Sequence, residues 1–240
     1  MSRIVHGFHI TKKRKHKKTV AFFLLLFLVI IFTIIFYSEN SGSFLFTNLL
    51  LSLYRLIVAY FISLFVALIV AIFVSNTKMG DYLIPVFDLM QNLPSFALIP
   101  FFIAWLGYNN LMTIVFAATS ILWPILFYVL HALKSASKDK EDAAKIFGAV
   151  GMKKILFFTL PVAFPSIVTG SIVGFSIGWE AIIGVEIIGL SSGIGSFINS
   201  THSGNNTNLI LGVSALLVVV FLINRLVWMP LLKKSRIYAE

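Results

Sequence analysis

Two carboxylates, Glu180 and Glu186, and two guanidinium groups, Arg55 and Arg225, are set inside stretches that otherwise hold almost only apolar side chains. An ionised group in such surroundings is costly unless it is paired, hydrogen-bonded or wetted, which makes Glu180, Glu186 and Arg55 candidates for ligand binding or for a buried ion pair. Trp179 stands next to Glu180, and the pair belongs to the same candidate group. Six residues of helix separate the two carboxylates by about 120° around the axis, so they do not converge on one ligand. Arg55 is the partner that the topology below offers Glu186. An ion pair holding two helices in register is the favoured reading; the functional alternative has Arg55 attract an anion as it enters a pathway.

Other chemistries are matched only in letters. Gly189-Leu190-Ser191-Ser192-Gly193 fits G-x-S-x-G with His202 nearby, yet a nucleophile elbow needs a strand-turn-helix, and this run follows an apolar helix. Asn199 and Asn205 open N-x-[ST] sequons, which matter only in a secretory pathway. No H-E-x-x-H occurs, the five histidines lack ligand spacing, and no metal site is expected. No stretch, Gly148 to Lys153 included, fits the phosphate loop G-x-x-x-x-G-K-[ST]. The absence of cysteine excludes disulfides and thiolate catalysis.

The elements that must position these residues are membrane helices. With 59% hydrophobic and 12% charged residues and a mean hydropathy of +0.97, the chain is an all-α integral membrane protein in expectation. Stretches long enough for a hydrocarbon core of about 30 Å lie near 20–37, 53–74, 83–106, 111–130, 162–188 and 208–232. Six spans put both termini on one side. Of the nineteen Lys and Arg, 17 fall on that side, in the basic tail 1–19, at Lys78, between Lys134 and Lys154, and at Lys233, Lys234 and Arg236. The three opposite connections carry none, so both termini and the 138–161 segment are expected in the cytoplasm. Arg55 and Arg225 read as lying near span ends, where long side chains snorkel. The run Lys12 to Lys18 reads as a topogenic anchor rather than a nucleic-acid arm, and 20–37 as a retained first helix without an A-x-A cleavage site.

Spans three and five are irregular. Pro85, Pro94 and Pro100 interrupt the third, and Pro161 and Pro165 open the fifth. Broken helices line transporter pathways, while a proline in a packed helix can also be a simple kink. Gly170, Gly174 and Gly178 give the fifth span one face where another helix approaches closely, within the chain by preference or in a second copy.

The longest polar island, Lys138 to Pro161, reads KDKEDAAKIFGAVGMKKILFFTLP. Residues 138–147 have helical composition and would make a rod about 15 Å long. Gly148 and Gly151 permit a turn, and a second arm from Met152 is expected to stop at Pro161. The small side chains of Ala143 and Ala144 allow close contact with a partner surface. A helical hairpin projecting from the bilayer is a mechanical handle.

The spacing Asp142-Ala143-Ala144, three residues, Gly148, nine residues, Phe158-Thr159-Leu160-Pro161 resembles the loop by which permease subunits of ABC importers hold their ATPase. That pattern is E-A-A, three residues, G, nine residues, I-x-L-P; Asp142 replaces its Glu and Phe158 its Ile. Ser52-Leu53-Tyr54-Arg55, the run Leu93 to Pro100 continuing to Trp105-Leu106-Gly107, Glu186-Ile187-Ile188-Gly189 and Ser192-Gly193-Ile194-Gly195 resemble the nitrate/sulfonate/taurine branch. The likeness runs from about Asn48 to Arg236.

The resemblance implies a type I importer permease fold with a core at 48–232; apolar length and charge set the first helix at 20–37 before it and a cytoplasmic tail at 233–240. It implies a homodimeric permease in a prokaryotic inner membrane, two cytoplasmic ATPase subunits that hold ATP and Mg, and an extracytoplasmic substrate-binding protein. The chain itself would hold no cofactor, bind no nucleic acid and be no enzyme. Asp142, Ala143, Ala144, Gly148, Leu160 and Pro161 would couple to the ATPase. Arg55, Pro94, Trp179, Glu180 and Glu186 are candidates for the substrate pathway. The cargo would be a small anion such as a sulfonate, nitrate or bicarbonate; a vitamin or pyrimidine precursor, and a carrier or channel outside the ABC class, are the alternatives.

Overall fold

A computed structural model describes residues 42–75, 77, 80–200 and 206–238. The basic tail, the expected helix at 20–37, Lys78, His202 and the last two residues lie outside them. All regular structure in the described residues is helical.

The first helix, α1 (Gly42–Ser75), is longer than the apolar stretch that predicts it. Asn48 and Ser52 interrupt the apolar pattern but point inward, where Asn48 Nδ2 donates to Phe44 O (2.8 Å) and Ser52 Oγ to Asn48 O (3.2 Å). Polar side chains bonded to the preceding turn let the helix continue through apolar surroundings. Its buried stripe then runs through Arg55, Ala59, Ser63, Ala67 and Ala71. The outward face carries Phe61, Phe65, Ile69 and Phe73, as a lipid-facing surface requires.

The third predicted span is two helices. α2 (Gly80–Gln91) and α3 (Ile99–Leu106) join through a 3-10 turn at Ser95–Leu98, and the two arms meet at 87°. Pro94 sits at the break with extended ψ of 109° and Pro100 opens α3, whereas Pro85 lies within α2 without ending it.

α4 (Asn110–Ser135) starts on an N-cap, Asn109, whose side chain accepts from Met112 N at 2.8 Å. The island forms α5 (Lys138–Ile146) and, after the turn, α6 (Met152–Lys154). Contrary to expectation the second arm does not stop at Pro161. It runs through a π turn at Ile155–Thr159 straight into α7 (Leu160–Ile188). The wider i→i+5 turn, closed by Leu160 N on Ile155 O, adjusts the ladder where the proline offers no N–H. The same device recurs where α9 (Asn206–Ile223) passes through a π turn at Asn224–Trp228 into α10 (Met229–Ser235), which carries Pro230 in its first turn. Between these lies the short α8 (Ile194–Asn199).

Pairings fix the direction of each helix. Arg55 meets Asn110 and Ser63 meets Ala118 O, both at a separation of 55 residues, so α1 and α4 run parallel. The chain must therefore return the full height of the bundle between them, and the broken pair α2–α3 makes that crossing. Four further helices are long and apolar enough to span a membrane: Phe44–Ser75, Asn110–Ser135, Met152–Ile188 and Leu209–Ser235. α7 runs antiparallel to α4, with Gly170 on Ile125 and Gly174 on Ile121. A Cβ on Gly174 would lie 3.0 Å from Ile121 O. The glycine face thus packs within the chain. On another side of α7, Phe175 meets Trp228 edge to face at 5.5 Å, and Tyr60 closes the trio at 5.7 and 6.1 Å.

This register places Asn110, Arg55 and Glu186 at one end of the bundle and the 138–154 hairpin at the other. It also moves Arg225, one turn before Trp228, deeper than the span-end position read from the sequence, because Trp228 packs at the level of Tyr60.

Candidate functional site

Three places gather the candidate residues. At the first, Arg55 and Glu186 are both about 1% exposed. Nη1 of Arg55 donates to Glu186 Oε1 at 2.5 Å and to Ser192 O at 2.9 Å. Nη2 reaches Asn110 Oδ1 (2.6 Å) and Ser192 Oγ (2.7 Å), and Nε reaches Asn110 Oδ1 (3.0 Å). All five guanidinium N–H groups are thereby used. The carboxylate also takes Gly195 N–H on Oε2 (2.9 Å) and has Ser52 Oγ 2.7 and 2.8 Å from its two oxygens. Ser52 Oγ accepts from Ile194 N (2.8 Å), and Asn48 Oδ1 from Gly193 N (2.7 Å).

The network ties α1, α4, α7 and α8 together through one charge pair. A side chain on Gly193, whose φ is 111°, would occupy the Glu186 carboxylate itself, and one on Gly195 would come 2.7 Å from Ile183 O. The Ser-Gly-Ile-Gly run is the seat of a buried carboxylate. Ser192 serves as an acceptor in a loop after a helix, with no strand before it, and the letters of a hydrolase elbow have no structural counterpart.

The second place is the hairpin. α5 ends in a Schellman turn: Ala149 N bonds Ala144 O and Gly148 N bonds Lys145 O, each at 2.9 Å, with Gly148 at φ 80° and Gly151 at φ 57°. Glu141 braces the two arms by accepting from Lys154 Nζ at 2.9 Å, and Lys145 lies 3.2 Å from Glu141 and 2.9 Å from Asp142. The hydrogen bond from Lys154, then that from Lys145, holds the Glu141 carboxyl below its ordinary range. Asp142 first, and Glu141 second, raise the Lys145 ammonium.

Ala143 and Gly148 are exposed, while Ala144, Leu160 and Pro161 are half-buried. The tip carries an apolar knob that the spacing match does not single out: Ile146 is 84% exposed and Phe147 90%, beside Val150 and Met152. Large apolar side chains on a charged hairpin mark a contact surface. The signal lay in the sequence as Ile-Phe next to the turn glycine.

The third place is the elbow of the broken span. Pro94 is exposed there, and Phe96 lies over Gly184 of α7, where a Cβ would enter its ring. A cavity of about 90 Å³ behind the elbow is lined by Gln91, Ser95, Phe102, Ser120, Pro124 and Ile177 among others. Glu180 is exposed on α7 at this level. Trp179 is 6% exposed, and its Nε1 is a buried polar atom without a hydrogen-bond partner among the described residues. Of the five pathway candidates the structure joins only Arg55 and Glu186; Pro94 and Glu180 belong to the elbow, and Trp179 turns into the core.

Helices of this apolarity, a broken span at mid-depth and a projecting hairpin define a multi-pass membrane protein. The chain belongs to the binding-protein-dependent transport system inner membrane component family, whose model matches residues 63–229. It is 28% identical over 142 residues to a taurine transport system permease protein of Escherichia coli, covering 59% of this chain and 52% of that one. It is 30% identical over 161 residues to a putative aliphatic sulfonates transport permease protein of the same organism (67% and 61%). A nitrate import permease protein of Leptolyngbya laminosa is 26% identical over 185 residues (76% and 66%). The chain thus spans between about half and two thirds of the length of these relatives. The resemblance read from the hairpin and the branch motifs stands with these findings.

Proposed function

We propose that this chain is the permease subunit of an ATP-driven, binding-protein-dependent importer in a prokaryotic inner membrane. Two copies form the pathway. A cytoplasmic ATPase, present twice and holding ATP and Mg, grips the 138–161 hairpin of each, and a substrate-binding protein delivers cargo to the opposite face. The observation that carries this reading is the hairpin: a braced, sharply turned helix pair with a bare apolar tip, at the end of the bundle remote from the Arg55–Glu186 network. Nothing in the chain fits a phosphate loop, so the energy must enter through such a handle. Closure of the ATPases on ATP draws the hairpins together, and each bundle turns with its hairpin because α6 is continuous with α7. Coupling requires that ATP favour one pathway state over the other.

By the names of its relatives the cargo would be a small anion such as a sulfonate, nitrate or bicarbonate. One observation favours the second reading, a vitamin or pyrimidine precursor: Arg55, the base nearest the expected entry, has no donor left for an anion. A channel or carrier without an ATPase would leave the apolar tip uncovered. The test is Gly148→Asp, which removes the residue at φ 80° and charges the tip. Copurification of the ATPase and ATP-driven uptake are expected to be lost with membrane insertion intact; normal uptake overturns the assignment of the hairpin.

A further inference from the structure

Glu180 lies eight residues, about 12 Å, inside the end of α7 at Ile188. It has no hydrogen-bond or ionic partner among the described residues, and it is exposed. An exposed carboxylate at this depth does not face lipid without cost; it faces water, a solute or another protein surface.

Its neighbours on the helix belong to the elbow. Gly184 of α7 carries Phe96 of the elbow, and Ile177 lines the cavity with Gln91 and Ser95 of the same elbow. Glu180 is three residues after Ile177 and four before Gly184, on their common face. It therefore sits between two contacts of the elbow, where the span is broken. Ser176, exposed one turn away, adds a hydroxyl to that face of α7, and on the elbow's own side Asp88, exposed on the last turn of α2, accepts from Gln91 Nε2 (2.6 Å).

The bases of the described residues are elsewhere. Arg55 is spent on Glu186, Asn110 and Ser192. Arg225 precedes Trp228, which packs on Phe175, and five residues of helix place Phe175 about 140° around α7 from Glu180. The remaining Lys and Arg lie between 134 and 154 or from 233 to 236, toward the hairpin end. Among the described residues the fixed charges at the elbow are carboxylates.

We propose that Glu180 is the charge-selecting residue of the translocation path, and that the cargo carries an ammonium or another cationic group, as a cation or a zwitterion, rather than being a simple anion. The proposal rests on the permease reading given above. A carboxylate with no counter-ion among the described residues attracts a passing cationic group and repels nitrate-like solutes, most strongly where low-dielectric walls surround it.

The sequence has no cysteine, so Ser176→Cys supplies a single thiol one helical turn from Glu180, at about 5–6 Å between Cβ atoms. The probes are two small methanethiosulfonates, one bearing trimethylammonium and one bearing sulfonate. They are applied to membranes holding the chain with its copurifying partners, nucleotide-free and trapped with ATP and vanadate. The cationic reagent is expected to react about ten-fold faster or more, relative to the ratio on a free thiol, in at least one state. Glu180→Gln in the same background should collapse that preference and Glu180→Asp should retain it. No reaction with either probe in both states, a preference for the sulfonate, or a ratio indifferent to Glu180→Gln overturns the proposal. Failure of the permease reading shows separately, as absence of a copurifying ATPase, whatever the thiol does.

Discussion

At the residue scale, Glu186→Gln leaves the Arg55 guanidinium charged and 1% exposed while taking away its counter-ion. Breaking one side of a buried, hydrogen-bonded pair costs about 3–5 kcal/mol, whereas exchanging both partners for apolar residues of similar volume is far milder. Glu186→Gln should therefore lower thermal stability in detergent strongly, and Arg55→Met combined with Glu186→Leu should recover a large part of the loss. A double variant as damaged as the sum of the two single ones would mean that the charges do not act as a pair. The pairing itself was legible, because topology put Arg55 and Glu186 in one half of adjacent spans. The roles of Asn48, Ser52, Asn110 and Ser192 were not: each is a small polar residue in an apolar or loop context, and only the fold brings Ser52 onto a carboxylate 134 positions away, Asn110 and Ser192 onto Arg55 and Asn48 onto Gly193. The same holds for Gly193 and Gly195, whose spacing resembles a family motif but whose reason is the bulk of the Glu186 head group.

At the element scale, the hairpin is held by charge and the spans by shape. Glu141 ties α5 to Lys154 (2.9 Å) and so fixes the angle between the two arms. Its carboxyl is held below the ordinary range chiefly by that hydrogen bond. A depressed carboxyl contributes stability that is complete above its unfolded titration and is lost as pH falls through the folded one. Amide exchange over 138–154, corrected for the intrinsic pH effect, should then stay slow at neutral pH and accelerate in acid below the usual glutamate range. Glu141→Gln should remove most of that acid step, and an unchanged step would assign it to another group. The sequence showed the hairpin because glycines, charges and spacing are local signals. It hid the two π turns, since Pro161 and Pro230 look alike whether a helix starts there or passes through. The 87° elbow was half visible: three prolines marked a broken span, but neither the angle nor the seat of Phe96 on Gly184 follows from proline positions.

At the scale of the whole molecule, the bundle has two unlike ends, and the chain order fixes which residues share one. The common offset of 55 residues makes α1 and α4 parallel, so the broken α2–α3 pair crosses the full thickness rather than dipping in and returning. Ser191, in the loop beside the ion pair, and Phe147, at the hairpin tip, therefore face opposite sides of the membrane. The expected sign comes from the lysines: among the described residues the stretch from 134 to 154 and the segment from 233 to 236 carry the basic residues, and the ion-pair end carries none outside the bundle. In this cysteine-free chain, Ser191→Cys should react with a membrane-impermeant maleimide added to intact cells, and Phe147→Cys only after the membrane is opened. Equal labelling of both from outside would deny that the described spans cross. Labelling of Phe147→Cys alone from outside would turn the bundle over and remove the hairpin from the reach of any cytoplasmic ATPase, leaving the buried ion pair, which holds in either orientation, as the firmest feature of the fold.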